Sequence, residues 1–179
     1  MSGPTLVIDL AEPLSPAALR EFRALMVGLS SHFAAKRPGF FDVNVPVERV
    51  GVEHGREEDG RRPFLVYLMG PGVGDESLFE AEHADEAEVE ALLGFRPTHA
   101  VNVSACCNRG IDHVATAMLT AAVMDVVGGV AKAELPDGQA SVAANLPGVL
   151  GITDDGWTVL GTAEFLRAWA GHPAFRLVK

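Results

Sequence analysis

Thr98-His-Ala-Val-Asn-Val-Ser-Ala105, then Cys106-Cys-Asn-Arg-Gly-Ile-Asp-His113, then Val114-Ala-Thr-Ala-Met-Leu-Thr-Ala-Ala-Val-Met-Asp-Val-Val127, closed by Gly128-Gly129: this run sets the fold class. Its first part alternates with Val101 and Val103 on one face, the pattern of a strand. Asn108 is placed to cap a helix, and Asp112 falls in the first turn, where the helix dipole favours negative charge. Residues 114–127 are apolar nearly all round, which describes a helix buried on several sides. The paired glycines stop it, and residues 129–135 return as a strand. Strand, buried helix and strand imply secondary-structure layers around a sheet.

Upstream, Pro63-Phe-Leu-Val-Tyr-Leu-Met69 is the clearest strand and belongs at the centre of that sheet. Gly70-Pro-Gly-Val-Gly74 breaks it with a tight turn; the lysine and following helix of a phosphate loop are missing. Residues 5–10 read as a first strand. Helix 1 starts at Ser15 with Pro16 in the first position, where a missing N–H costs nothing. Leu14 and Leu19 form a hydrophobic staple. The stripe Leu19, Phe22, Leu25 or Met26, Leu29 and Phe33 carries the helix on to Pro38-Gly39. Residues 40–52 read as one irregular strand that Pro46 pushes to an edge, and residues 54–62 as a polar loop. Residues 86–93 make a short acidic helix closed by Gly94.

Downstream, Pro136-Asp-Gly138 is a turn and residues 139–147 a loop. Asp154-Asp155-Gly156 between two apolar runs signals a hairpin. Thr162 caps a last helix over residues 163–170, and residues 174–178 form a final strand. The expected fold is α+β or α/β, a two-layer packing of about four helices on one mixed sheet, with residues 1–179 in one domain.

Composition bounds the rest. With 48% hydrophobic and 21% charged residues the chain is globular, and 179 residues suffice for a core without disulfide or metal. Met1-Ser2-Gly3-Pro4 lacks the features of a signal peptide. The longest apolar stretch is short for a membrane span. Adjacent Cys106 and Cys107 cannot easily pair with each other and suit a reducing cytoplasm. The net charge of −10 argues against nucleic acid as a direct partner.

That charge is uneven. Residues 63–95 contain no lysine or arginine but include Asp75, Glu76, Glu80, Glu82, Asp85, Glu86, Glu88 and Glu90. Like charges three or four apart on a helix repel, so a density without cations close in sequence suits a basic partner surface. It would speed encounter with one.

Cys107, with His113 six residues on at a strand-to-helix turn, could form a thiol–base pair; plain capping and packing explains the same residues. The six histidines are scattered, and neither Cys107 with His113 nor His83 amid carboxylates makes a ligand set, so no metal and no cofactor is expected. Trp157 and Trp169 should both pack into the core or its rim, Trp169 on one helix face with Phe165.

Ala100-Val-Asn-Val-Ser-Ala-Cys-Cys-Asn-Arg-Gly-Ile-Asp-His113, the alanine-rich helix with Gly128-Gly129, and the ending Ala163-Glu-Phe-Leu-Arg-Ala-Trp-Ala-Gly-His-Pro-Ala-Phe-Arg-Leu-Val-Lys179 resemble a family of small uncharacterised bacterial proteins. That family is similar to the immunity proteins encoded beside polymorphic toxins. The motifs cover about half of the chain. The resemblance marks Cys107, Asn108, Asp112, His113, Trp169, His172, Pro173 and Phe175, none of them in a catalytic role. Relatives often carry an aspartate where this chain has Lys132. The implied function is a cytoplasmic antitoxin that neutralises a cognate toxin through an acidic face. The alternative is a small cysteine-dependent enzyme using Cys107 and His113.

Overall fold

The computed structural model describes residues 3–54 and 60–178. Eight strands form one sheet: β1 (Thr5–Leu10), β2 (His32–Arg37), β3 (Phe40–Pro46), β4 (Arg61–Met69), β5 (His99–Ala105), β6 (Val130–Glu134), β7 (Val149–Ile152) and β8 (Thr158–Gly161). Six helices occur among the described residues: α1 (Pro16–Leu29), α2 (Glu76–Glu82), α3 (Ala87–Leu93), α4 (Gly110–Val127), α5 (Ala140–Ala143) and α6 (Ala163–Ala170). The strand order is β2-β3-β4-β5-β1-β6-β8-β7. Every pairing is antiparallel. The class is α+β. The sheet is not mixed, and the helices number six rather than four.

The alternation of β1 decides the layers. Leu6, Ile8 and Leu10 join the main core, while Val7 faces a second, smaller cluster with Tyr67, Met69, Phe79 and Ala100. Successive strand residues point to opposite faces, so Asp9 shares the face of Val7. Helices α1, α4 and α6 cover the main-core face. Helices α2 and α3 lie on the other, where Phe79 packs on the sheet and the Leu92 side chain lies against Gly151. Helices on both faces replace the expected two layers.

Helix α4 is the centre of the main core. Ala115, Ala117, Leu119, Ala121 and Val123 are fully buried, and α4 touches α1, α6, β1 and β5. Thr116 and Thr120 are tolerated there because their hydroxyls donate to the carbonyls of Asp112 and Thr116 at 2.6 and 2.7 Å. Among the described residues α4 is the one helix long and apolar enough to cross a membrane, and it is the buried core helix of this fold. Its N-cap is Arg109 rather than Asn108. Asp112 accepts the Arg109 amide at 2.6 Å and so closes the first turn.

Other expectations held in outline and shifted in detail. Ser15 caps α1, accepting from the Ala18 amide at 3.1 Å; Thr162 caps α6. The Asp154–Gly156 turn joins β7 to β8. Helix α1, however, stops at Leu29. Ser30 turns its hydroxyl back onto Met26 O at 2.6 Å, and the Ser31 amide already pairs with Asn44 O. Phe33 therefore reaches the core from the edge strand β2, not from a helix. β3 lies between β2 and β4, and Pro46 is admitted because it ends the strand. Of the loop expected at residues 54–62, residues 55–59 lie outside the described part, and Arg61 and Arg62 already belong to β4. Residues 140–143 of the expected loop are the short helix α5.

Residues 174–178 form no strand. The Ala174 and Leu177 amides go to the side chains of His172 and His113 rather than to a neighbouring strand. Trp169 is fully buried, stacked on Phe165 at 5.5 Å, but Trp157 is 56% exposed and belongs to no core.

Candidate functional site

The second face of the sheet carries a row of side chains fixed by register. Tyr67 opposes Asn102, Asn102 opposes Val7, Val7 opposes Lys132, and Lys132 opposes Leu160. Directly opposed residues share a face, so β4, β5 and β6 set the polar groups Tyr67, Asn102 and Lys132 around Val7 of β1, with Leu160 of β8 beyond them. A pocket of about 310 Å³ opens over this row. Val7, Asn102 and Lys132 lie in its floor, Glu82, Glu86 and Glu134 bring carboxylates to its wall, and Leu177 and Val178 close one side.

Beside the pocket, Asp9 is completely buried. Its Oδ1 lies 2.8 Å from His83 Nε2. Nδ1 of the same ring is 2.8 Å from the Phe79 carbonyl, which can only accept. Facing a carboxylate and a carbonyl, the imidazole makes both bonds only as the doubly protonated cation. Burial drives its pKa down, but the bonds to Asp9 and Phe79 outweigh it and hold the value above the ordinary 6.5. The ring also stacks on Phe79 with centroids 4.2 Å apart. Lys132 Nζ donates to both Glu86 oxygens at 2.8 and 2.7 Å and stands 3.9 Å from Asp9 Oδ2. His83, Asp9, Lys132 and Glu86 thus form, in that order, a chain of alternating charge that clamps the end of α2 and the start of α3 to the sheet.

Two buried oxygens near this chain have no hydrogen-bond partner among the described residues: Asp9 Oδ2 and Asn102 Oδ1. Asn102 Nδ2 donates to the Tyr67 hydroxyl at 3.1 Å. Its Oδ1 is the unsatisfied atom of a residue that lines the pocket.

The acidic stretch does not stand uncompensated. Cations reach three of its eight acids: Arg37 binds Asp75 and Lys132 binds Glu86 from far along the chain, and Arg96 stands 3.5 Å from Glu90. Glu88 accepts the Asp154 amide and ties α3 to the β7–β8 turn. Glu76, Glu80, Glu82 and Asp85 are exposed and make no ion pair among the described residues. Asp85 adopts a positive φ of 58°, at the tight join between α2 and α3. Exposed Leu78 and Leu92 lie on the same two helices.

The motif residues gather elsewhere. Asp112 grips Arg62 of β4 through two bonds of 2.6 and 2.9 Å, both side chains buried. His113 Nδ1 accepts the Leu177 amide at 3.2 Å. Trp169 donates to Gln139 at 3.0 Å and meets Phe175 edge-on at 4.9 Å, while the His172 amide donates to Trp169 O and its carbonyl accepts from Phe175. The two motif halves, 64 residues apart at His113 and Leu177, meet to dock the C-terminal segment. Cys107 is half-buried and Cys106 exposed, in the turn between β5 and α4. Burial around its sulfur and the nearby Asp42 push the Cys106 thiol above 9.0, away from the reactive thiolate. Asn108 Oδ1 is buried there without a partner among the described residues.

Four residues of the second-face site were not marked as functional from the residues alone: Asp9, His83, Asn102 and Lys132. Asp9 is the single charge of its short apolar strand, and Lys132 stands between alanines in β6, whose one other charge is the terminal Glu134. That is their one signal, since a lone charge on a sheet face must be paired or exposed. No group of three or more histidine, cysteine or acidic side chains arranged to hold a metal occurs among the described residues.

An eight-stranded antiparallel sheet with a polar pocket on its less covered face defines a small α+β domain. The chain belongs to a family of unknown function, DUF6368, whose match spans residues 2–179. Comparison with curated proteins and with solved structures gave no match.

Proposed function

We propose that the chain is a cytoplasmic binding protein of the immunity type, which neutralises a protein toxin by docking the α2–α3 face onto a basic surface. One observation carries this reading. Glu76, Glu80 and Glu82 on α2, and Asp85 at its join with α3, stand exposed and unpaired among the described residues, beside the exposed Leu78 of α2 and Leu92 of α3. Unpaired carboxylates beside apolar side chains are the makings of a steered, partly desolvated interface. The biological role is taken from the resemblance read in the sequence, in which the Cys107–His113 and Trp169–Phe175 motifs mark a family that is similar to immunity proteins. In this reading those motif residues hold the scaffold, and the acidic helices meet the partner.

The test is rescue of growth when the protein is co-expressed with a toxin domain encoded beside its gene. The triple variant Glu76→Lys, Glu80→Lys, Asp85→Lys changes only exposed, unpaired residues. It should fold normally and lose rescue. Full rescue by that variant rejects the acidic face, and no rescue by the wild-type chain rejects the immunity role.

A further inference from the structure

The pocket on the second sheet face has a definite chemistry. Its lining holds three carboxylates, Glu82, Glu86 and Glu134, against one ammonium, Lys132. Glu86 already neutralises Lys132, so Glu82 and Glu134, both exposed at the rim, are left without a cation among the described residues. A buried acceptor is also waiting: Asn102 is 2% exposed, and its Oδ1 lacks a donor while its Nδ2 is held by Tyr67. An unsatisfied buried oxygen carries a desolvation cost that a ligand N–H removes. Acceptors without donors, surplus negative charge, and apolar walls at Val7, Leu177 and Val178 suit a cation on an aliphatic stem.

We propose that this pocket receives one basic side chain of the partner protein, an arginine, whose guanidinium donates to Asn102 Oδ1 and to the Glu82 and Glu134 carboxylates. Arginine fits better than lysine. Its planar fork presents several donors to acceptors that are spread apart, whereas an ammonium concentrates its donors at one point. The proposal rests on the docking reading above and names the pocket where that docking would be anchored.

The experiment is a chemical-shift titration of the isotope-labelled full chain, using a capped Gly-Arg-Gly peptide, n-butylguanidinium, free agmatine and butyrate as probes. The capped peptide and n-butylguanidinium should move the Asn102 side-chain amide signals and saturate. Glu82→Gln and Glu134→Gln should each weaken binding about threefold; Asn102→Leu should weaken it about tenfold. Should Asn102→Leu fail to fold, the two glutamate variants still decide.

Movement of the same signals by butyrate alone overturns the proposal, as does a response to agmatine without one to the capped peptide. Silence at Asn102 with every probe also overturns it. Growth rescue is read separately, at Glu76, Glu80 and Asp85, which do not line the pocket. Lost rescue in that triple variant with a silent pocket sinks the arginine site alone. Full rescue in that variant with a responding pocket sinks the acidic-face reading alone.

Discussion

His83, which caps the C-terminus of α2, and Asp9 in β1, 74 residues apart in sequence, meet at 2.8 Å with the aspartate wholly buried. Their contact is what holds a short helix, too brief to be stable alone, against the outer face of the sheet. Several measurable consequences come from this arrangement and its neighbours.

The Asp9–His83 contact makes stability depend on pH. The folded-state pKa of His83 lies above its ordinary 6.5, so the folded protein binds the proton more tightly than the unfolded chain. The resulting stabilisation is fully present below about pH 6.5 and is lost as pH rises through the folded-state value. Urea unfolding from about pH 6 to about pH 9 should show this decline in the wild type. His83→Gln should remove that part of it; an identical pH profile for the variant would contradict the charged contact.

The Arg62–Asp112 pair anchors β4 to α4 inside the core. Arg62→Met leaves the Asp112 carboxylate buried without its guanidinium and should cost about 3–5 kcal/mol. Adding Asp112→Leu to it should recover part of that loss, because no charge then remains buried. Denaturant titration of both variants checks the order; a double variant less stable than Arg62→Met alone would refute it.

Two adjacent glycines separate conformational strain from close approach. Both have positive φ, 73° at Gly128 and 82° at Gly129. A Cβ on Gly128 meets nothing within 4 Å, whereas one on Gly129 would lie 2.6 Å from the Asp9 carbonyl oxygen. Gly128→Ala should cost about 1–3 kcal/mol, because φ 73° with ψ −146° is a backbone conformation that glycine alone adopts readily. Gly129→Ala adds a backbone clash beneath Asp9 and should cost at least about 2 kcal/mol more. Equal melting temperatures for the two would contradict the packing at β1.

Glu80 and Glu86, six positions apart, should respond very differently to substitution. Glu80→Lys alters an exposed, unpaired side chain and should shift stability by no more than about 0.5 kcal/mol. Glu86→Lys places two cations together beside Lys132 and should destabilise by about 2 kcal/mol or more. Thermal melts distinguish them directly.

The two tryptophans should report separately. Trp157 is exposed and Trp169 fully buried. Iodide should quench the Trp157 fluorescence and leave Trp169 nearly untouched; equal quenching in single-tryptophan variants would be contrary evidence.

Local signals in the sequence were enough for α4, β4, the Asp154–Gly156 hairpin and the capped starts of α1 and α6. Each depends on neighbours within a few residues: alternation, helical spacing, a capping hydroxyl, a glycine that can take positive φ. The acidic stretch was equally visible, and so were the motif residues from Cys107 to His113 and from Trp169 to Phe175. Their purpose was not. Whether Phe33 ended a helix or sat in β2 depended on Asn44 pairing with Ser31, and whether residues 174–178 made a strand depended on His113 and His172 taking their amides.

The charge pattern followed the same division. By itself the sequence determined that eight acids crowd residues 75–90. Only the tertiary structure decided that Arg37, Lys132 and Arg96 neutralise some of them and leave Glu76, Glu80, Glu82 and Asp85 exposed without an ion pair among the described residues. It also decided that Asn102, Val7 and Lys132 stand side by side as a pocket floor. Composition and periodicity act along the chain, whereas charge pairing and pocket formation act through space. The register of β5, β1 and β6 is set by burying Leu6, Ile8, Val101 and Val103 together on the opposite face.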